Sequence, residues 1–205
     1  MILVGGGGHA LSLAEFASKE IDGYLAREDN PTMCFPWLGT DSEGPALASK
    51  GQRFHMAFIY SGLPLMEERR KLIEGYQSSG CRFESLIAPT AIITPAAKIG
   101  EGCAIMQGAI VNRARIGDNC VVNSGAIIEH DCEIGSNTFI GPGAVVGGFT
   151  EIGANCFIGL GARIGNGLHI GDNITVAMGA IINKDLTEPG IYHGNPLRHF
   201  KIPAK

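Results

Sequence analysis

The chain has 205 residues, 18% of them charged, and a formal net charge of −4, which gives no general reason to expect nucleic acid as a partner. Hydrophobic residues make up 45%, the proportion of a folded globular chain with one large or two small domains. No stretch approaches the roughly 20 apolar residues of a membrane span, so no membrane insertion is expected.

Ile2-Leu3-Val4 reads as a short apolar strand that runs straight into Gly5-Gly6-Gly7-Gly8-His9. It has neither the basic start nor the long apolar core of a secretory signal, and a cytoplasmic location is expected. Ala10–Ala17 continues as an amphipathic helix. A strand, a glycine turn and a helix start form an anion site, because bare N–H groups and the positive helix end favour phosphate. Gly7, Gly8 and His9 are therefore candidate substrate-binding residues. Gly5-x-Gly7-x-x-Ala10 also fits the dinucleotide pattern, but that fold needs two mononucleotide halves and this part has room for about one. One nucleotide diphosphate is the favoured occupant, with a ligand-free tight turn and NAD as alternatives. His9 reads either as facing a pyrophosphate or its sugar, or as a cap or packed residue.

Asp22–Pro36 is polar and irregular and reads partly as loop. Met56-Ala57-Phe58-Ile59-Tyr60 reads as a second strand, followed by a helix from Pro64 through Tyr76 that ends near Gly80. Alternating strands and helices imply that residues 1–85 form a small α/β, half-Rossmann domain with parallel strands.

From Ile110 to Ile182 an aliphatic residue returns at every sixth position: Ile110, Ile116, Val122, Ile128 and onward to Val176 and Ile182. Neither a strand nor a helix has this period. A hexapeptide β-helix does, each six-residue piece forming one side of a prism and pointing one aliphatic residue inward. Four positions later comes a mostly small set, among them Ala114, Cys120, Ala126, Cys132, Ala144, Cys156 and Ala162, as crowded corners require. Glycine often follows the aliphatic residue, as at Gly135, Gly147 and Gly159, and is read as serving tight turns. An earlier register, Ile87, Ile93, Ile99, Ile105 and Val111, slips by one against the main set, so one rung near Gly108–Ala114 is a residue short. The prism is placed at residues 86–185, a little over five coils at three sides each. The tail, 186–205, including Gly194-Asn195-Pro196, reads as a cap over its open end.

Cys103, Cys120, Cys132 and Cys156 fall in the inward set and are read as buried free thiols; Cys120 and Cys156 share a corner two coils apart, and the others are placed at different corners. Cys132 is rejected as an acyl-accepting nucleophile, since an apolar corner disfavours the thiolate. His130 lies at a turn between prism sides, flanked by Glu129 and Asp131. A carboxylate beside an exposed histidine orients the ring and stabilises the imidazolium that forms when it takes a proton. The same corner on the next coil carries Gly148, where a ligand carbonyl can approach the backbone, then Asn166. The neighbouring corner stacks Pro142, Leu160 and Met178, an apolar column suited to the pantetheine arm of coenzyme A. His169, Asp172, Arg113, Arg115 and Arg163 read as solvated surface or neighbour contacts.

Taken together, Gly5-Gly6-Gly7-Gly8-His9-Ala10, Leu38-Gly39-Thr40, Leu86-Ile87-Ala88-Pro89-Thr90-Ala91, Ile128-Glu129-His130-Asp131-Cys132 and Gly194-Asn195-Pro196 resemble the bacterial sugar O-acyltransferase family of the hexapeptide superfamily. It includes sialic acid O-acetyltransferases and the bacillosamine-type N-acetyltransferases of nucleotide-linked 4-amino sugars. The resemblance implies a left-handed parallel β-helix and a homotrimer with acetyl-CoA, as co-substrate, in the groove between adjacent subunits. It implies a nucleotide-linked amino sugar on the amino-terminal domain, His130 as general base and Asp131 as its support. Gly148 matches the glycine whose amide meets the thioester. Leu160 and Met178 fall at coenzyme-contacting positions, and Phe139 falls where some members place a coenzyme-contacting histidine. The acidic pair that reads the base in some members has no clear match, Glu28-Asp29 standing nearest, and the base of the nucleotide is open. The expected reaction is direct N-acetylation of the sugar amine, with no metal. The alternatives are O-acetylation of a sialic acid or related sugar, and a non-catalytic nucleotide-sugar-binding β-helix.

Overall fold

The structure, a computed structural model, describes residues 1–59, 63–194 and 198–200. β1 (Ile2–Val4) is the middle strand of a three-stranded parallel sheet, between β2 (Gly23–Leu25) and β3 (Phe54–Met56). Every residue of these strands is buried, as in a sheet covered on both faces. α1 (Gly8–Ala17) starts directly after the glycine turn, and α3 (Leu63–Ser78) contains the helix expected from Pro64.

One local expectation is corrected and two details are added. The stretch 22–36 contains β2, whose short Gly-Tyr-Leu sequence shows no alternation. The strand expected over Met56–Tyr60 lies earlier, at Phe54–Met56; Ala57, Phe58 and Ile59 are apolar because they line a cleft, and Tyr60 lies outside the described residues. A turn of 3-10 helix at Asp41–Glu43 and the short α2 (Gly44–Ser49) were not foreseen.

From Leu86 on, two-residue strands recur and stack into three sheets of eight, six and five strands, parallel except for the last strand of the first, a left-handed parallel β-helix. Its interior is the hexad set: Val122, Ile128, Ile140, Val146, Ile158 and Val176 are inaccessible, as are Ala126, Ala144 and Ala162 at the corners. Full burial of each aliphatic side chain contributes roughly 1.5–3 kcal/mol. The short rung lies where the slip placed it. Ile128 pairs with Val111, seventeen positions back, and with Val146, eighteen on. As a consequence Val111, not Ile110, points inward, and Ile110 sits on the outside, paired with Ile92 and Ile127. The same slip brings Cys103 into the column of Cys120, because Ile105 pairs with Val122; the assignment of these thiols to different corners is corrected. All four inward cysteines are free and buried.

The glycine after each aliphatic residue serves a purpose other than the one expected. The left-handed backbone falls two positions later, at residues such as Asn119, Asp131, Asn137, Gly143 and Asn155. At Gly135 a Cβ would lie 2.5 Å from the backbone of Gly153 and Ala154 on the next coil, so glycine there permits close stacking of coils, not a turn.

The three outer faces differ. One carries Ala104, Val121, Phe139 and Phe157, and packs with Leu3, Ala10, Leu13 and Met66 of the amino-terminal part into one shared core. A second carries Lys98, Arg115, Glu133, Glu151 and His169 in register, all at the surface or nearly so, with Arg115–Glu133 and His169–Glu151 pairs at 3.7 and 3.3 Å. His169 thus has an acidic partner one coil away that its sequence neighbours did not show. The third is a column of Ile92, Ile110, Ile127, Val145, Arg163 and Ile181, aliphatic but for one residue and half-buried or exposed among the described residues. In the tail, Gly190–His193 adds a parallel strand beside Ile174–Val176 and Arg198–Phe200 pairs antiparallel with it. Asn195, Pro196 and 201–205 lie outside the described residues.

Between the two parts lies a buried cation. Arg69, on α3, is 1% exposed; its Nε donates to Phe58 O at 2.9 Å, and its Nη1 donates to Asn119 O at 2.9 Å and to Asn137 Oδ1. Burial and this guanidinium both work against a second positive charge nearby. His55, wholly buried, is pushed down to about 4, chiefly by burial, with Arg69 adding to the effect. His9, whose Nε2 is buried without a partner among the described residues, is pushed down to about 3 by burial, then by His55 and Arg69. Both rings stay neutral in the folded state while the unfolded chain takes up protons near pH 6.5. Stability is therefore complete above that value and lost as pH falls toward 4. For His55 alone the loss is on the order of 3 kcal/mol. Urea denaturation at pH 7.5, 5.5 and 4.5 measures it; a flat profile would contradict neutral burial of these rings.

Candidate active site

The glycine turn opens on a cleft of about 940 Å³ at the carboxyl ends of β1, β2 and β3. The strand order β2-β1-β3 makes β1 the switch point, where open α/β sheets bind ligands. Gly7, Gly8 and His9 line this cleft together, and the N-terminus of α1 faces it. Gly6 admits no side chain, since a Cβ would lie 2.7 Å from the Tyr24 ring. The 26–31 loop is held over the turn by Asn30, whose Nδ2 donates to Gly6 O at 2.6 Å, and by Tyr24, whose hydroxyl donates to Asp29. Asp29 is exposed and lines the cleft beside Glu28, one of its carboxylate oxygens taken by Tyr24. His9 is held neutral, so it would meet a ligand through a hydrogen bond rather than a charge.

The second site is the corner at His130. Asp131 adopts φ 56°, and its carboxylate lies between two cations or potential cations: Oδ2 is 3.1 Å from His130 Nδ1, and Oδ1 accepts from Arg113 Nη2 at 2.6 Å. Arg113 is thus part of the site and not merely solvated, a correction that follows from the ordinary eighteen-residue coil, which puts it in the same left-handed corner seat as Asp131 one turn earlier. The hydrogen bonds from Arg113 and then His130 hold the Asp131 carboxyl below its usual value. Glu129 turns away and accepts from Asn112 Nδ2 at 3.2 Å.

Gly148 sits against the imidazole: a Cβ there would lie 2.9 Å from His130 Nε2 and 3.0 Å from Cε1. Its N–H makes no hydrogen bond among the described residues, whereas the next amide, Phe149 N–H, donates to His130 O at 2.9 Å. A free imidazole nitrogen and a free amide on adjacent coils make a pair able to take a proton and receive a carbonyl oxygen. Phe149, missed in the sequence, stands beside them; its ring is 5.0 Å from that of His130 at 90°. The available signal was a large aromatic residue in a corner seat that elsewhere holds mostly asparagine, aspartate or glycine.

On the adjoining corner Leu160 and Met178 are 56% and 77% exposed, an apolar column as expected. Phe139 does not join them. It is 7% exposed and stacked on Phe157 in the core shared with the amino-terminal part, so the coenzyme-contact assignment is corrected to packing. Cys132 donates to Gly147 O at 3.1 Å inside the prism, and burial raises its thiol, which leaves it a poor nucleophile. Asp172 is exposed, as expected, and also braces the preceding coil, its Oδ1 accepting from Ala154 N–H at 2.7 Å. Among the described residues no group of three or more His, Cys, Asp or Glu side chains could hold a metal ion, and no helix is long and apolar enough to cross a membrane.

A hexapeptide β-helix with a histidine beside an open backbone amide defines a class, and the protein is an acyltransferase of the hexapeptide superfamily. Residues 113–148 match the bacterial transferase hexapeptide (six repeats) family and residues 149–184 the hexapeptide repeat of succinyl-transferase. Among solved structures, the chain is similar to PerB from Caulobacter crescentus, in complex with CoA and GDP-perosamine, at 29% identity and a TM-score of 0.87, covering 98% of this chain and 96% of that one. It is similar to the acetyltransferase domain of PglB from Neisseria gonorrhoeae, in complex with acetyl coenzyme A, at 29% identity and a TM-score of 0.87, covering 97% and 98%. WeeI from Acinetobacter baumannii shares the fold at 21% identity and a TM-score of 0.80, covering 97% and 98%. A comparison with curated proteins finds no match.

Proposed function

We propose that the protein transfers an acetyl group from acetyl-CoA directly to the amine of a nucleotide-linked amino-deoxysugar. The observation that carries this is the contact of His130 with Gly148, which sets a ring nitrogen beside an unpartnered amide. The amine attacks the thioester carbonyl while His130 takes its proton; the Gly148 N–H receives the developing oxyanion; the C–S bond then breaks and the coenzyme leaves as its thiol. Asp131 holds the ring and stabilises the imidazolium. Leu160 and Met178 offer an apolar track to the pantetheine arm. The cleft at Gly7, Gly8 and His9 takes the nucleotide diphosphate, supported by the GDP-perosamine bound in PerB.

Self-association completes the site. The aliphatic column from Ile92 to Ile181 lies between the His130 corner and the Leu160–Met178 corner, and a homotrimer built on it would wall a groove with both. The test is thiol release from acetyl-CoA against UDP-, dTDP- and GDP-linked 3-amino and 4-amino deoxysugars and free sialic acid. Turnover with one nucleotide-linked amino sugar is expected. Turnover with sialic acid alone would replace this reading with O-acetylation.

A further inference from the structure

The left-handed corner seats of the β-helix are filled, among the described non-glycine residues, by Asn119, Asp131, Asn137, Asn155 and Asn173, by Arg113, and by Phe149 at φ 59°. Asparagine and aspartate tolerate this conformation because their short polar side chains bond locally; a phenylalanine there is a genuine outlier. Phe149 is also 63% exposed and joins none of the three buried clusters. Strain and exposed apolar area are both unfavourable, and no buried cluster among the described residues takes in the ring to offset them. The ring's partner is His130, met edge to face at 5.0 Å.

His130 needs such a partner. Its side chain is half-exposed, and its Nδ1 is held by a 3.1 Å bond to a carboxylate that Arg113 also engages. An exposed bond of that kind orients a ring weakly. An aromatic edge against the imidazole restricts its remaining rotation, and the backbone fixes that edge because Phe149 N–H is bonded to His130 O.

We propose that Phe149 is a positioning residue for His130, holding the imidazole with Nδ1 toward Asp131 and Nε2 beside Gly148. The proposal rests on the reading of His130 as general base. Strain at φ 59° is here kept for function, a pattern common at active sites.

The test compares wild type, Phe149→Asn, Phe149→Leu, Phe149→Tyr and His130→Ala for kcat, KM of both substrates, thermal midpoint and oligomeric state. Phe149→Asn is expected to lower kcat about two- to twelvefold, the range of an aromatic pair's contribution, with KM for acetyl-CoA nearly unchanged. Its thermal midpoint should be equal or higher, since asparagine relieves the backbone. Phe149→Leu should lose as much kcat, and Phe149→Tyr should keep wild-type kcat. Wild-type kcat in the Asn and Leu variants, with His130→Ala inactive, overturns the positioning role and leaves the base in place. A rise in acetyl-CoA KM alone would make the ring a coenzyme contact, and dissociation of the oligomer would make it an interface residue; either overturns the proposal. Full turnover in His130→Ala removes the base and the role of Phe149 with it.

Discussion

Replacing His130 by alanine is expected to reduce turnover by about 10²–10⁴-fold, the usual worth of a positioned general base. Affinity for coenzyme A should change little, because the imidazole contributes to the moving proton and not to the apolar track at Leu160 and Met178. The substitution is at a half-exposed corner, so folding should be intact. The neighbouring Cys132 offers no bypass: burial raises its thiol and its Sγ points into the prism. Steady-state kcat and coenzyme dissociation constants, measured together, check the split. Turnover within threefold of wild type would remove His130 from the mechanism.

Gly148→Ala should be nearly as damaging, though it deletes nothing. The new methyl would sit 2.9 Å from His130 Nε2, closer than a Cβ tolerates, and 3.2 Å from His130 O, which is tight. Gly148 does not lie in the left-handed region, so alanine is not strained in φ, and the largest response falls on the imidazole, the nearest and most movable neighbour. The ring would rotate away from Asp131, and displacement of a catalytic group by about 1 Å costs on the order of 10²-fold in rate. Circular dichroism and the thermal midpoint should be close to wild type while kcat collapses. An active Gly148→Ala enzyme would show that the close approach is not used. Together the two substitutions separate loss of the base from loss of its placement.

The β-helix was legible because its period is local in kind: each coil repeats the same demand for one aliphatic and one small inward residue. Even the missing residue near Val111 was readable as a slip between two registers. Its consequences were not. That Ile110 faces outward and that Cys103 stacks on Cys120 both follow from pairing seventeen instead of eighteen residues apart, whereas Arg113 reaches Asp131 at the ordinary eighteen and was open to counting. The amino-terminal part was read less well because its strands are three residues long, too short for any alternation to register.

The site divides the same way. His130, Asp131 and Gly148 could be placed by counting, since residues one coil apart share a corner. Gly7, Gly8 and His9 could be placed by the order of strand, glycine and helix. Phe139 shows the limit of counting: the register puts it on the prism's outer surface, but not which outer surface the amino-terminal part covers, and there it packs on Phe157. Phe149 shows another, because its contact with His130 depends on a backbone conformation that its residue type argues against. By itself the sequence determined the β-helix, its inward columns and the corner that holds the histidine, since each depends on spacing along the chain. Only the tertiary structure decided which face is covered, which is left apolar and open, and which groups surround the histidine, because those are contacts between coils and between parts of the chain that no period records.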